Sequence, residues 1–189
     1  PLREKCSESM PLFVSMVSTI NVLSWFVARL KKTVKPFIDF GGLSNRQMLD
    51  AALICLATAV YFESRGEPFV GQSAVAHVVL NRVDDTRFPD DVCSVVKQGP
   101  TYSWKPEFPI RNMCQFSYYC DGKSDMPTEE DAWQTAVLAA FGAMTERTYD
   151  PTEGATHYHA DYVQPEWAEV KYRTVRINDH IFYKWEGYR

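Results

Sequence analysis

The sequence lacks the excess of basic residues with which proteins bind the phosphate backbone of nucleic acids. Its 20 Lys and Arg are outnumbered by 24 Asp and Glu, and the formal net charge is −4. No stripe of basic residues is present, so we predict no nucleic-acid partner. A hydrophobic content of 46%, with 11 Phe, 10 Tyr and 5 Trp, excludes a disordered chain. The length of 189 residues is enough for one well-buried domain and an attached segment.

The cysteines lack the paired spacing of a zinc site. There are five of them: Cys6, Cys55, Cys93, Cys114 and Cys120. We predict that Cys114 and Cys120, which flank a short aromatic segment, form a small-loop disulfide, and this implies an oxidising compartment. Reduced thiols are the alternative. Cys55 lies in an apolar run and is predicted to be an inert buried thiol.

The N-terminal zone, residues 1–40, lacks an unambiguous membrane signal. Residues 9–28 carry no charge, which reaches the lower length limit of a transmembrane helix, but several Ser, Thr and Asn residues interrupt the run. No small-residue cleavage site follows, and we interpret Pro1 as a natural start left by removal of the initiator Met. The zone is predicted to be a membrane anchor, a segment that binds a protein partner through residues 10–35, or a helix packed on the domain. Residues 41–189 are predicted to form the main domain.

Helical periodicity dominates the middle of the chain, which has no internal repeat or low-complexity tract. Ser44 and Gln47 form a capping-box signature before the apolar run 48–62, which predicts a central buried helix. A second helix is predicted over 70–83. Residues 98–125 are rich in Pro, Gly and aromatics and are predicted to be an irregular loop.

The C-terminal part changes from helical to strand character. Thr128 and Asp131 are predicted to cap a third helix, whose apolar residues continue to Met144. Beyond it, residues 155–160 are predicted to form one short strand. Residues 174–185 are predicted to form two more, joined by a hairpin turn at Asn178 and Asp179. The sequence therefore predicts an α+β domain, mainly helical, with a small antiparallel sheet near its C-terminus.

Glu63 is the residue with the clearest chemical signal. It ends the apolar run in AVYFESRGEP, residues 59–68, and acids are rarely buried without a reason. Burial and the negative carbonyl end of the predicted helix both favour a protonated carboxyl group. Such a group can protonate a glycosidic oxygen near neutral pH. The structural alternative is that Glu63 or Glu67 pairs with Arg65 or Arg82 and only ties loops together.

A series of motifs resembles the SleB-type cell wall hydrolases, the family of the spore cortex-lytic enzymes. The resemblance begins with ATAVYFESRGEPFVGQSAVAHVVLNRV and continues in order through FPDDVCSVV, CQFSYYCDG, GATHYHADYVQPEW and INDHIFYK. It covers about residues 48–184, and Ser64 departs from the alanine that members of this family commonly have after the glutamate. The resemblance implies a lysozyme-like domain that acts on peptidoglycan strands without a cofactor. It also implies that Glu63 is the single catalytic acid and base of a lytic transglycosylase, which closes a 1,6-anhydro ring on MurNAc.

Further residues are candidates for substrate binding. The family's loop motif is matched by Gln115, Phe116 and Ser117. The polar side chains of Gln115 and Ser117 suit hydrogen bonds to sugar hydroxyl or N-acetyl groups, and the Phe116 ring suits stacking on a pyranose. Core packing of Phe116 and a scaffolding role for Gln115 are the alternatives. Tyr158 is a candidate groove wall. The full set of predicted substrate-binding residues is Glu67, Gln72, Gln115, Phe116, Ser117 and Tyr158.

Other functions stay open at this point. A hydrolytic muramidase would need a second carboxylate, for which the downstream candidates are Asp84, Asp85, Asp90 and Asp91. A metal-dependent amidase or peptidase would use the alternating polar residues of the third zone, which are His157, His159, Asp161 and His180. The non-enzyme alternative is a component of an assembly that binds the cell wall and has lost its catalytic activity. We expect action in the periplasm or cell wall by a membrane-tethered enzyme, a phage lysin or a part of a virion.

Overall fold

The computed structural model describes residues 45–185. The predicted N-terminal segment 1–40 and the capping residue Ser44 lie outside this range. Five strands and four α-helices make up the described part. The helices are α1 (Asn45–Ser64), α2 (Phe69–Asp84), α3 (Val92–Val96) and α4 (Glu130–Met144), and the strands are β1 (Thr101–Tyr102), β2 (Lys105–Pro109), β3 (His157–Ala160), β4 (Tyr172–Ile177) and β5 (His180–Lys184).

The α2 helix is the centre of the described part, because it is buried around nearly its whole circumference. Residues 71–79 are all buried. One face of α2 packs with α1 and α4 in the main core, where Leu56, Val75 and Ala140 are fully buried. The other face packs Ala74 and Val78 against Phe182 of β5. Because α2 lies between the helices and the sheet, its side chains can reach both.

The three-stranded sheet has the order β3-β5-β4 and is antiparallel throughout. Asn178 lies between β4 and β5 with φ of 48°, a conformation that Asn adopts more readily than most residues, and this fits the predicted hairpin turn. The predicted α+β class, with helices first and a small antiparallel sheet last, is confirmed. In the part of the chain that the structure describes, no helix is both long and apolar enough to cross a bilayer.

The segment after α2 contains elements that the sequence did not predict. The short α3 begins where the Asp91 carboxylate accepts a hydrogen bond from the Ser94 amide at 2.9 Å. It brings Cys93 to α1, where a disulfide joins it to Cys55 with a Cα–Cα distance of 5.3 Å. The prediction of an inert thiol at Cys55 was therefore wrong, because it did not foresee a helix that carries a second cysteine to the same place.

Two other local predictions need correction. The predicted loop 98–125 contains the exposed hairpin β1–β2 and a 3₁₀ turn at Ser117–Cys120. Thr128 does not cap α4, whose N-cap is Glu129 without a side-chain capping bond. The Tyr61 hydroxyl oxygen instead accepts hydrogen bonds from the amides of Thr128 and Glu129, both at 3.2 Å. A buried tyrosine of α1 thus holds the backbone immediately before α4.

Candidate active site

Glu63 lies in the last turn of α1, one residue before the helix ends. The residues that precede it, including Val60 and Tyr61, are buried, so the helix delivers the carboxyl group to the edge of the core. Burial raises the pKa of Glu63 above its ordinary value, and this effect exceeds the opposing effects of its neighbours. The carboxyl group is therefore placed to stay protonated at higher pH than an exposed glutamate.

Tyr158 of β3 holds this carboxyl group. Its hydroxyl donates a hydrogen bond to Glu63 Oε2 at 3.0 Å. Burial, and next the nearby charge of Glu63, raise the pKa of Tyr158 well above its ordinary value, so the tyrosine remains a donor. Because Oε2 accepts this bond, Oε1 is the oxygen free to carry a mobile proton. The structure thus brings together two of the predicted site residues.

Arg82 is the third member of the site and comes from the last turn of α2. Its Nε donates to the carbonyl oxygen of Thr156 at 2.7 Å, just before β3 begins. Its positive charge lowers the pKa of Glu63, after the larger effects of burial and the Tyr158 hydrogen bond. Sequence reasoning considered Arg82 only as a partner in a loop-tying ion pair. A cation near the end of an otherwise buried apolar helix was the signal that could have identified it.

The loop between Cys114 and Cys120 contributes side chains of two kinds. The structure contains a disulfide between these cysteines. Gln115 and Ser117 are exposed, as substrate-binding groups need to be, whereas Phe116 and Tyr118 are buried. The alternation fixes the loop on the domain through two rings and leaves two polar side chains outside.

Phe116 cannot act as predicted. Its side chain is 1% exposed, and the Arg82 guanidinium lies over its ring at 5.4 Å from the centroid. The prediction that this ring stacks on a sugar is therefore wrong, and Phe116 is a core residue, as the alternative proposed. Tyr118, which the sequence analysis missed, stacks on Phe62 at 4.7 Å, and burial followed by the charge of Glu63 raises its pKa.

Glu67 and Gln72 lie at the turn between α1 and α2. The Gln72 side chain is 3% exposed, and its Nε2 donates to the carbonyl oxygen of Glu67 at 3.0 Å. Direct binding of substrate by Gln72 is thus contradicted, because its side chain is enclosed and ties the turn to α2. Glu67 is partly buried, and its charge acts on His180, whose ring packs against Tyr158 at 5.1 Å.

Arg65 and two of the candidate second carboxylates, Asp85 and Asp91, are engaged elsewhere. Arg65 forms an exposed ion pair with Glu129 at 3.2 Å. Asp85 pairs with Arg87, and Asp91 caps α3. A cavity of about 270 Å³ is lined by Asp84 and Asp85 among others, but Glu63 is not part of its wall.

Two of the candidate metal ligands of the third zone, His159 and Asp161, have structural partners. His159 uses both ring nitrogens, on the Tyr183 hydroxyl at 3.0 Å and on the Ala160 carbonyl oxygen at 2.8 Å. Asp161 forms an ion pair with Arg176. Over residues 45–185, no group of three or more His, Cys, Asp or Glu side chains is arranged to hold a metal ion.

A family model for cell wall hydrolases matches residues 66–183 of the chain. The chain belongs to the cell wall hydrolase family. The matched region begins three residues after Glu63 and does not include it.

The chain is also similar to two spore cortex-lytic enzymes. The spore cortex-lytic enzyme of Halalkalibacterium halodurans is 38% identical over 128 residues, which is 67% of this chain and 33% of that enzyme. The spore cortex-lytic enzyme of Bacillus subtilis is 34% identical over 143 residues, 75% of this chain and 39% of that enzyme. The chain thus spans between about a third and two fifths of the length of these relatives.

Two solved catalytic domains share the fold. The catalytic domain of SleB from Bacillus cereus superposes with a TM-score of 0.56 at 32% identity, covering 76% of this chain and 94% of that domain. The catalytic domain of the germination-specific lytic transglycosylase SleB from Bacillus anthracis gives a TM-score of 0.55 at 32% identity, covering 76% and 98%. Nearly the whole of each catalytic domain therefore has a counterpart in this chain.

Proposed function

We propose that the protein is a lytic transglycosylase that cleaves the MurNAc–GlcNAc bond of peptidoglycan with Glu63 as its acid and base. The observation that carries the proposal is the buried Glu63 carboxyl, held by Tyr158 at the end of a core helix and with a pKa raised by burial. Membership of the cell wall hydrolase family supports the substrate class. The similarity to the germination-specific lytic transglycosylase SleB of Bacillus anthracis supports the reaction type.

In the proposed reaction, Glu63 gives the proton on Oε1 to the oxygen between MurNAc and GlcNAc. The bond from MurNAc C1 to this oxygen breaks, and GlcNAc leaves with a free 4-hydroxyl group. The Glu63 carboxylate then accepts the proton of the C6 hydroxyl of the same MurNAc. The C6 oxygen bonds to C1 and closes the 1,6-anhydro ring, so Glu63 returns to its protonated form and no water is consumed.

One carboxylate is sufficient for this chemistry, whereas a hydrolytic muramidase uses two. The engagement of Asp85 with Arg87 and of Asp91 with the start of α3 favours the single-acid reaction. For substrate binding we propose the exposed Gln115 and Ser117, and Glu67 at the turn after α1.

The decisive experiment is mass spectrometry of purified peptidoglycan digested by the full chain. Anhydro-MurNAc ends are expected; reducing ends would indicate a hydrolytic muramidase, and freed stem peptides an amidase. No product at all would favour a wall-binding component. We expect no inhibition by EDTA, and inhibition that zinc restores would favour the metal-dependent alternative.

The matched variants are Glu63→Gln and Glu129→Gln. Glu63→Gln keeps the side-chain shape and removes the transferable proton, so we expect a loss on the order of 10²–10⁴ in rate. Glu129→Gln removes an exposed carboxylate that pairs with Arg65 and should leave the rate near that of the wild type. Glu67→Gln should be milder than Glu63→Gln. Near-normal cleavage by Glu63→Gln would exclude the mechanism.

We also propose that the protein acts at the cell wall, in an oxidising compartment. The two disulfides, Cys55–Cys93 and Cys114–Cys120, support this location. The peptidoglycan glycan strand is the proposed partner. Attachment to a membrane or to a phage particle through residues 10–35 is a separate proposal.

A further inference from the structure

Arg82 is a buried cation without a counter-ion in direct contact. Arg82 is only 5% exposed. Its Nη1 atom is buried and has no hydrogen-bond partner among residues 45–185. None of the ion pairs within the described residues includes it. A buried charge is costly unless another group compensates it, so a purely structural role is a poor explanation for this arginine.

The surroundings of Arg82 fix its guanidinium in one place. The Thr156 carbonyl oxygen accepts a hydrogen bond from Arg82 Nε at 2.7 Å. The guanidinium carbon lies over the rings of Phe88 and Phe116, at 5.3 and 5.4 Å from their centroids. Burial, and next the Arg82 charge, lower the pKa of the neighbouring His157 to about 3. The histidine is therefore neutral at physiological pH and adds no second positive charge.

Three titratable groups from three elements act on Glu63 or respond to its charge. They are Tyr158 of β3, Tyr118 of the 3₁₀ turn and Arg82 of α2. The pKa values of both tyrosines are raised, so they are uncharged at neutral pH. Within this set, Arg82 alone supplies a charge that can balance the Glu63 carboxylate.

We propose that Arg82 is a positioning residue that acts as the counter-charge of the Glu63 carboxylate. The inference rests on the function proposed for Glu63. A residue that is first an acid and then a base needs a pKa between the extremes, because a carboxyl group that burial alone controlled would be a weak proton donor. Arg82 also binds the segment that leads into β3, so it links the charge balance to the strand that carries Tyr158.

The test is an NMR titration of the full chain labelled with ¹³C at the glutamate carboxyl carbons. The Glu63 signal is assigned by its absence in Glu63→Gln. Arg82→Gln removes the charge while its amide can still donate to the Thr156 carbonyl, and we expect the Glu63 midpoint to rise by on the order of one pH unit. Arg82→Lys retains the charge and should titrate close to the wild type.

Arg65→Gln is the matched control, because it removes an exposed charge two residues from Glu63 that is already paired with Glu129. It should leave the midpoint unchanged. The alkaline limb of the cleavage rate should move with the midpoint in Arg82→Gln and stay in place in Arg65→Gln. A role limited to packing would lower stability without moving either quantity.

An unchanged midpoint in a folded Arg82→Gln protein would overturn the proposal. Arg82→Met is a second neutral variant. If neither folds, Arg82→Lys decides: a midpoint near that of the wild type supports the counter-charge, and a shift of about one unit or more contradicts it. The titration needs no substrate, so its result stands apart from the cleavage test of Glu63.

Discussion

At the scale of single residues, burial and two neighbouring side chains have opposite effects on the pKa of Glu63. Burial favours the neutral carboxylic acid, whereas the Tyr158 hydroxyl and the Arg82 charge favour the carboxylate. Because burial has the larger effect, ionisation of the Glu63 carboxyl group costs more free energy in the folded chain than in the unfolded chain. Both the rate and the stability of the protein should depend on pH through this one group.

Stability should therefore fall as Glu63 ionises. A pKa that is higher in the folded than in the unfolded chain stabilises the fold fully below the unfolded value, near 4.5, and this contribution is lost as pH rises through the folded value. Glu63→Gln lacks the transition and should be more stable than the wild type above that window. The gain should be about 1.4 kcal/mol for each unit of pKa difference. Thermal unfolding of both proteins between pH 4 and 8 measures it, and equal pH dependence of the two would contradict the assignment.

Tyr158→Phe should move the activity profile in a defined direction. The variant loses the 3.0 Å hydrogen bond to Oε2, which favours the carboxylate, so the pKa of Glu63 should rise and the alkaline limb should shift to higher pH. A hydrogen bond to a charged group is worth about 1.5–3 kcal/mol, so we expect a rate loss on the order of 10–100-fold. Tyr183→Phe is the control, because its hydroxyl bonds His159 on the same sheet at 3.0 Å. A similar shift in both variants would show that the effect is not specific to Glu63.

Glu63 is the predicted site residue with a local signal in the sequence. It interrupts a run of apolar residues, and it lies in the last turn of α1. The predicted burial of this helix holds for its second half only, because Asp50, Ala51 and Ile54 in the first half are exposed. Phe116 could not be interpreted this way, because the phenylalanine is buried only by a loop that folds back over the helices. An aromatic residue beside polar ones has the same local pattern whether it faces a sugar or a guanidinium.

At the scale of elements, the long helices and the sheet followed from periodicity, and the short elements did not. Helices predicted over 48–62 and 70–83 are observed as α1 and α2 with ends displaced by one to three residues. The five-residue α3 is too short to show a period, and the exposed β1–β2 hairpin buries no face that would impose one. Elements of this kind are fixed by contacts distant in sequence, here by a disulfide to α1.

The two disulfides should contribute unequally to stability. Cys55–Cys93 closes a segment of 38 residues and Cys114–Cys120 a segment of 6. Loop-closure entropy gives about 4 kcal/mol for the first and about 2 kcal/mol for the second. Replacement of each pair by alanine, followed by chemical denaturation, measures the difference. Peptide mapping without reductant should recover both bonds, and free thiols at any of the four positions would contradict the pairing.

At the scale of the whole molecule, residues 45–185 form a closed core in two parts that share α2. Every residue proposed to act on substrate belongs to this unit. A truncated chain of residues 41–189 should therefore fold and digest peptidoglycan. If residues 12–27 are covered by lipid or by a partner, truncation should raise solubility and leave the melting temperature unchanged. Dye binding and a lower melting temperature would instead show that this segment is part of the fold.

The Cys55–Cys93 bond also determines what a protease can do to this protein. The turn after α1 includes the exposed Arg65, and a trypsin-like enzyme that cut there would separate Glu63 from Arg82 in sequence. Both of these residues lie between the two bonded cysteines, so the fragments would stay covalently joined. A nicked molecule should migrate as one chain without reductant and as two with it. In surroundings rich in secreted proteases, a single backbone cut at this turn would not release either half of the site.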